Sequence, residues 1–389
     1  MGTSVLVLYT ESGVTTMSLD TQNSHTLALV SEALAAVEDY CSSQHTQELL
    51  RPVAHYRLHE LTHGLNRVAG LVGLHVARTS YMRGLKAMHH DVSFNWTATG
   101  TFRAMLEDPG SFDDAYGLLA DDASRAVFDW YVSCRTAYAL VGEAALALFP
   151  TGVSEAEYEQ DESRLGRAVK GVYRVQGIAI SSDIDVLVDS ILLEQYRLPG
   201  IVDPLPGWIA FDVGAYKGET ALWLARELGP GGRVVAFEPA ASNRTVLQAN
   251  IARNASPAMA SIEVVHAAAG ARAGRMGFVS TAQGASQLSS AGDALVDVTT
   301  IDETVDREHL DRVDFVKMDI EGAEVDALRG AQRTLQMFAP ALAICVYHKP
   351  HDLPDIVGLV HQIQPAYRFY LSHKSERLGE TVLFATERP

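Results

Sequence analysis

The chain has little from which to build a covalent or cysteine–metal framework. Its 389 residues include three cysteines, Cys41, Cys134 and Cys345. They are odd in number and far apart, so neither a disulfide scaffold nor a metal cluster is expected, and a reducing, cytoplasmic setting fits. Apolar runs of the roughly 20 residues that a membrane span needs are missing as well, and no membrane partner is expected. Basic charge is scarce: 31 Lys and Arg against 48 Asp and Glu leave a net charge of −17. Both halves are acidic, so the positive field that a phosphate backbone requires is absent, and nucleic acid is not an expected partner. The opening MGTSVLVLYTESG has no basic n-region, and no secretory leader is expected from it. No repeat period or low-complexity tract occurs.

What is present is enough chain for two domains, since single cores stop growing near ~250–300 residues. Residues 1–205 read as mainly α-helical. Thr26–Tyr40 carries apolar residues on helical spacing, a second helical region runs from Glu48 to about His90, and Ala123–Phe149 is capped by Asp121 or Asp122 and ended by Pro150-Thr151-Gly152. Glu155–Asp161 is an acidic cluster expected on a solvated face. His59-Glu60-Leu61-Thr62-His63 matches HExxH, and His55 extends the same face. The zinc-peptidase reading needs a third ligand, yet Ala69 stands where one such family places it. Leu61, Leu65, Val68 and Val72 lie opposite the histidines, so the expected role is the outward or cleft-facing side of an amphipathic helix.

Residues 206–389 alternate strand and helix, the pattern of a parallel sheet covered on both faces. An apolar run at Trp208–Phe211 ends in Asp212, then Gly214 and Gly218 lead into the helix Glu219–Leu228. Strand, glycine turn and helix bring bare backbone and a helix N-terminus to a ligand. The acid and the D-x-G-x-x-x-G spacing favour S-adenosylmethionine over a dinucleotide, whose pyrophosphate calls for G-x-G-x-x-G. The strand Arg233–Phe237 ends in Glu238-Pro239, where a carboxylate is placed to accept from both ribose hydroxyls. The helix Ser242–Arg253 and strand Ser261–His266 follow. Ala267–Gly270 is either a small-residue bed for an adenine ring or a plain turn. Residues 271–300, rich in small residues, are expected to form an excursion or hairpin (Arg275–Val279, Val296–Thr300), with Ser286 a candidate contact.

Charge recurs at two further strand ends. Val313–Glu324, VDFVKMDIEGAE, sets Lys317 and Asp319 on alternate strand positions, with Glu321 re-aimed by the turn into the helix Ala323–Leu335. Each charge could equally be a salt bridge or a cap. Ala341–Val346 runs into Tyr347-His348-Lys349-Pro350. A histidine just past a buried strand is either structural or a general base, its ordinary pKa lying near neutrality. The helix Leu353–Gln364 and the strands Tyr367–Leu371 and Thr381–Ala385 close the domain.

At FDVGAYKGET, VVAFEPAASN, KMDIEGAE, YHKPHDL and FYLSHKSERLGETVLFA, covering roughly Leu192–Arg388, the chain resembles the FkbM family of S-adenosylmethionine-dependent methyltransferases. Tyr116–Arg135 is similar to the helical segment that precedes this domain in longer members. Leu371-Ser372-His373 departs from the family's Arg-His-His-like run, which weakens any role for His373. The resemblance implies a class I, Rossmann-like seven-stranded sheet and O-methylation of a secondary-metabolite hydroxyl, on a sugar or polyketide. It implies that Asp212, Gly214 and Gly218 shape the methionine-side loop, that Glu238 holds the ribose, and that Asp319 stands where methyl transfer occurs; Ala215, Tyr216, Pro239, Asn243 and Ala267 are further candidate cofactor contacts.

An alcohol is a poor nucleophile at neutral pH, so a base is expected, Asp319 or His348, with Lys317 tuning the charge and Glu321 holding the acceptor or a helix end. A divalent metal bridging Asp319 and the acceptor is compatible with the pattern, though no ligand spacing demands it. The helical half is expected to be an acceptor lid, a homodimerisation module or both. The competing reading is an S-adenosylmethionine-binding module without turnover, with the zinc peptidase a distant third.

Overall fold

The computed structural model describes residues 4–10, 13–19, 21–42, 92–154, 157–158, 160, 164–165, 168–279, 287–288 and 294–387. The His55/His59/His63 face, the helical region 48–90, Ser286 and most of the acidic cluster at 155–161 lie outside them. Two compact units emerge. The first is Met1–Gly117, Asp122–Thr151 and Lys349–Pro354, and the second is Leu118–Asp121, Gly152–His348 and Asp355–Pro389. Residues 152–205, grouped by sequence with the helical half, therefore belong to the second unit.

The first unit holds an antiparallel hairpin, β1 (Ser4–Thr10) and β2 (Gly13–Leu19), and the helices α1 (His25–Ser42), α2 (Val92–Glu107), α3 (Pro109–Leu118) and α4 (Asp122–Val141). α1 and α2 both pack on α4, which buries Phe128, Tyr131, Val132 and Leu140. The single helix expected over 123–149 is interrupted. Gly142 takes φ +64°, and a 3-10 turn at Gly142–Ala144 leads to a last helical turn, Ala145–Leu148. A left-handed φ costs glycine little, and the chain turns there.

The second unit opens with a short hairpin, β3 (Tyr173–Val175) and β4 (Ile178–Ile180). Gln176 and Gly177 between them both have positive φ, +46° and +86°, as a two-residue type I′ turn requires. β5 (Ile209–Val213), α5 (Glu219–Leu228), β6 (Arg233–Phe237), α6 (Ala241–Asn254) and β7 (Ser261–Val265) then alternate. A side sheet follows, β8 (Ala268–Ala269), β9 (Gly274–Val279), β10 (Gln287–Leu288) and β11 (Ala294–Thr299). After it come α7 (Ile301–Arg307), β12 (Phe315–Met318), α8 (Glu324–Arg329), α9 (Gln332–Phe338), β13 (Ala341–Cys345), α10 (Asp352–Ile363), β14 (Arg368–His373) and β15 (Thr381–Thr386). α7 starts from a capping box between Thr300 and Glu303.

The seven-stranded sheet runs β14-β15-β13-β12-β5-β6-β7. β15 is antiparallel to both its neighbours, while β13, β12, β5, β6 and β7 pair in parallel. Because the chain runs outward from β5 to β7 and then returns to β12, the order reverses between β5 and β12, and in such sheets the carboxyl ends at this switch point are where ligands bind. The central strands are mostly apolar and buried, as parallel strands covered on both faces are, with Asp212 in β5 and Lys317 in β12 as buried charged exceptions.

The helix expected over 323–335 is two. A Cβ on Gly330 would lie 2.1 Å from the Gly270 carbonyl oxygen, so backbone passes close by at the break, and Asp302 N donates to Gly330 O at 3.0 Å. Gly330→Ala is expected to destabilise the fold by about 1–3 kcal/mol through overpacking. Gly358→Ala, inside α10 with nothing within 4 Å of its added Cβ, is expected to gain about 0.5–1 kcal/mol. Urea unfolding of the two variants measures both, and the opposite signs are the test.

Candidate active site

The site grows from one pair. β5 and β12 place Asp212 opposite Lys317 in register, so the two side chains share a face at the sheet's centre. Lys317 Nζ lies 3.1 Å from Asp212 Oδ1, with side chains 3% and 0% exposed. It also donates to Gly214 O at 2.7 Å. Burial pushes the Asp212 carboxyl up, opposed by the Lys317 charge. For the Lys317 amine, burial works downward but the Asp212 and Asp319 charges outweigh it, and the amine is held above its ordinary range.

The turn after β5 needs its glycines. Gly214 has φ +89°, and a Cβ there would sit 1.9 Å from Asp319 O. Gly218 has φ +99° and begins α5, and Tyr216 between them also takes a left-handed φ, +47°. Ala215 N donates to Phe237 O at 2.9 Å, tying the turn to the end of β6. There Glu238 is buried, and its Oε1 accepts from Ala240 N at 2.8 Å and from Asn243 Nδ2 at 3.4 Å. Burial pushes its carboxyl up to about 7 against those two donors. Pro239 follows, and Ala267 lies buried just past β7. Asp212, the 214–218 turn, Glu238 and Ala267 thus stand at the carboxyl ends of three adjacent parallel strands.

A strap from residues 179–183, which the sequence did not reveal, braces this turn. Asn254 pairs with both backbone groups of Ala179, at 2.8 and 2.7 Å. Asn250 does the same at Ser181 and also donates to Lys217 O at 2.8 Å. Two side-chain amides therefore imitate a strand partner. Asp183 Oδ2 accepts from Tyr216 Oη and Lys217 Nζ, both at 2.7 Å, and Ser182 Oγ donates to the buried Glu219. Burial raises the Glu219 carboxyl to about 8.

Beyond β12 lies the second cluster. Glu321 has φ +57°, and this turn re-aims its side chain. Asp319 Oδ2 accepts from Tyr196 Oη at 2.8 Å, and Asp319 Oδ1 lies 3.3 Å from His348 Nε2. Glu321 Oε2 is 3.8 Å from the same nitrogen. On the other side of the ring, Nδ1 lies 2.9 Å from Glu324 Oε1, which also accepts from Ile320 N at 2.9 Å. Burial alone would raise the Asp319 carboxyl, but His348 and Lys317 together hold it well below the usual carboxylate range. Burial alone would lower the His348 imidazole, but the Glu324 and Asp319 carboxylates raise it well above the usual value. Burial lifts Glu321 to about 7, against the pull of His348.

Asp319, Glu324 and His348 each bring one ligand-type atom within 4.8 Å of the others. Both imidazole nitrogens face carboxylates, and the two acids outnumber the single charge that the ring can carry. Among the described residues, the sequence candidates fall into two adjoining groups, one around the turn after β5 and one around Asp319. His373 belongs to neither: its Nδ1 is 3.0 Å from Thr381 Oγ1 across β14 and β15, a structural contact.

Residues 212–369 match the profile described as the Methyltransferase FkbM domain. This stretch is a methyltransferase FkbM domain. A 103-residue segment is 39% identical to the AMB antimetabolite synthetase AmbE of Pseudomonas aeruginosa, covering 26% of this chain and 5% of that protein. In fold the chain is similar to methyltransferase FkbM from Methylobacillus flagellatus KT, at 21% identity and a TM-score of 0.49, over 79% of this chain and 66% of that one. It is also similar to Aeropyrum pernix fibrillarin with natively bound S-adenosyl-L-methionine, at 15% identity and a TM-score of 0.34, over 58% and 86% of the two chains. No helix among the described residues is long and apolar enough to cross a membrane.

Two residues of the FkbM-domain site escaped the sequence reading. Tyr196 precedes the matched stretch and has no local pattern to mark it. Glu324 closes the KMDIEGAE motif, where it reads as an ordinary first-turn acid of a helix. Within the FkbM domain, removing one member of the buried Asp212–Lys317 pair leaves an uncompensated charge, at about 3–5 kcal/mol. Lys317→Met is therefore expected to lose about that much stability in urea, and adding Asp212→Asn is expected to recover most of it. Equal losses in the single and double variants would mean that the pair is not the organising contact.

Proposed function

We propose that the chain transfers the methyl group of S-adenosylmethionine to a hydroxyl of a small-molecule acceptor, an intermediate of secondary metabolism of the sugar or polyketide type. The observation that carries the reading is the row of groups at the carboxyl ends of β12, β5 and β6: Asp319, the Gly214–Gly218 turn, and Glu238. The similarity to an antimetabolite synthetase supports a biosynthetic role.

The residues present fit the cofactor. Gly214, whose φ of +89° and close approach to the Asp319 carbonyl leave no room for a side chain, keeps bare backbone at the turn, and the N-terminus of α5 just beyond it suits a carboxylate such as that of the methionine moiety. Asp212, Ala215, Tyr216 and Gly218 shape that end. Glu238, steadied by Asn243 beside Pro239, accepts from the ribose hydroxyls, and Ala267 offers a small surface to the adenine. When bound, the cofactor supplies a sulfonium methyl group with a good leaving group, so the protein's work is alignment, exclusion of water and removal of the acceptor's proton. Asp319 or His348 takes that proton, Lys317 keeps Asp319 ionised, and Glu321 borders the acceptor.

Isothermal calorimetry of the intact protein with S-adenosylmethionine is the test. Binding is expected, and its absence contradicts the reading. Gly214→Val is expected to abolish binding. Glu238→Ala is expected to weaken it about 10–100-fold, the loss of charged hydrogen bonds. Because the Glu238 carboxyl ionises near 7 and only the ionised form accepts from both hydroxyls, affinity is expected to rise with pH through that point, and Glu238→Gln is expected to flatten the rise. Binding without methyl transfer to any hydroxyl would favour the module without turnover.

A further inference from the structure

The cluster beyond β12 offers two candidate bases, and its geometry separates them. Asp319 already accepts from Tyr196 Oη at 2.8 Å on one oxygen, and its other oxygen lies 3.3 Å from His348 Nε2, which pairs with it only when the ring is charged. With Lys317 beyond it, it is the weakest base of the group. His348 is different. Its Nδ1 faces Glu324, whose side chain is wholly buried, while its Nε2 faces the side on which Asp319 and Glu321 are 25% and 33% exposed. One nitrogen is anchored in the interior, and the other is presented where an acceptor could enter.

We propose that His348 Nε2 takes the acceptor's proton in methyl transfer and that Glu324 is the positioning residue that aims it. The proposal rests on the methyltransferase reading above. The Glu324 carboxylate 2.9 Å from Nδ1 favours the tautomer with its hydrogen on that nitrogen, which leaves the lone pair of the neutral ring on Nε2. In the step, the acceptor's O–H bond breaks and its proton goes to Nε2. The acceptor oxygen's electron pair forms the new O–CH3 bond as the C–S bond to the donor breaks, that bonding pair remaining on sulfur as a neutral thioether. The imidazolium that forms lies between Glu324 and Asp319, whose charges offset it, and it returns its proton to solvent before the next turnover.

The charged groups that face the ring come from three elements: Glu324 from α8, Asp319 and Glu321 from the turn after β12, and Glu380, which accepts from Tyr347 Oη at 3.1 Å behind a ring whose centroid is 4.2 Å from that of His348. Lys317 acts from the far side of Asp319. The acids outnumber the cation, so the free protein holds the ring protonated, and turnover is expected to rise with pH as Nε2 is released.

The experiment is an NMR titration of the full-length protein labelled with 15N-histidine, with His348→Asn assigning the signal. The expected result is a neutral ring protonated at Nδ1, with an inflection above the ordinary histidine value of about 6.5. In Glu324→Gln, which keeps an acceptor for Nδ1 and Ile320 N but removes the charge, the inflection is expected to fall by about one unit, a tenfold loss of proton affinity. Glu324→Asp retains the charge and is expected to keep the inflection alkaline, which covers the case in which Glu324→Gln does not fold. A parallel assay follows radiolabelled methyl transfer from S-adenosylmethionine to a panel of methyl glycosides and phenols. With the best probe, His348→Asn is expected to lower kcat about 10²-fold or more while cofactor affinity persists. The acid limb of the Glu324→Gln profile is expected to move with the NMR inflection. An inflection indifferent to Glu324, a neutral ring protonated at Nε2, full turnover in His348→Asn, or activity lost to a chelator and restored by a divalent cation would each overturn the proposal. Failure of the unaltered protein to bind S-adenosylmethionine would instead overturn the functional reading and leave the titration result standing.

Discussion

The second unit depends on one buried ion pair. Asp212 and Lys317 meet across β5 and β12 at the place where the strand order reverses, with almost no contact with water. Burying either charge alone is costly, and pairing in good geometry offsets the cost. The pair does more than neutralise. Through Lys317 Nζ it holds the Gly214 carbonyl, the first group of the turn after β5. Two residues beyond Lys317 the chain places Asp319, whose carbonyl passes so close to Gly214 that no side chain fits between them. The two loops that carry the candidate chemistry are therefore fastened to each other at their roots.

From that root the site divides by charge. On the β5–β6 side burial dominates, and Glu238 and Glu219 hold protons to about 7 and about 8. On the β12–β13 side the carboxylates converge on one imidazole, and Asp319 stays ionised because Tyr196, His348 and Lys317 all favour its charged form. Environments that push like groups apart in pKa are what acid–base chemistry at neutral pH requires. The left-handed backbone at Tyr216 and Glu321 marks the two turns where this is arranged, and such strain persists only where the surroundings fix it.

Much of this was legible in the sequence, because parallel strands buried on both faces read as apolar runs that stop at a polar residue. β5, β6, β12 and β13 announce themselves in that way, and Asp212, Glu238, Lys317, Asp319 and His348 are the residues at or near their ends. What stayed hidden depends on contacts between distant residues. Tyr196 reaches Asp319 across 123 positions. Glu324 looks like a helix-start acid until β13 delivers His348 to it. Asn250 and Asn254 sit on a helix of low amphipathicity, and only the fold shows them gripping residues 179–181. The missed break at Gly330 has the same origin, since the close approach of Gly270 is not local. By contrast, the interruption at Gly142 carried its own signal, and Gln176-Gly177 was a readable turn.

The central claim is that the Asp212–Lys317 pair sets one donor site and one proton-accepting site side by side at the carboxyl ends of β5, β6 and β12. A crystal structure of the full chain with S-adenosylhomocysteine tests it most directly. The account predicts the ribose hydroxyls on Glu238, the amino-acid end in the Gly214–Gly218 turn, and the sulfur directed toward the Asp319–His348 cluster. Ligand bound elsewhere, or bound at these strand ends with its sulfur turned away from Asp319 and His348, would contradict it.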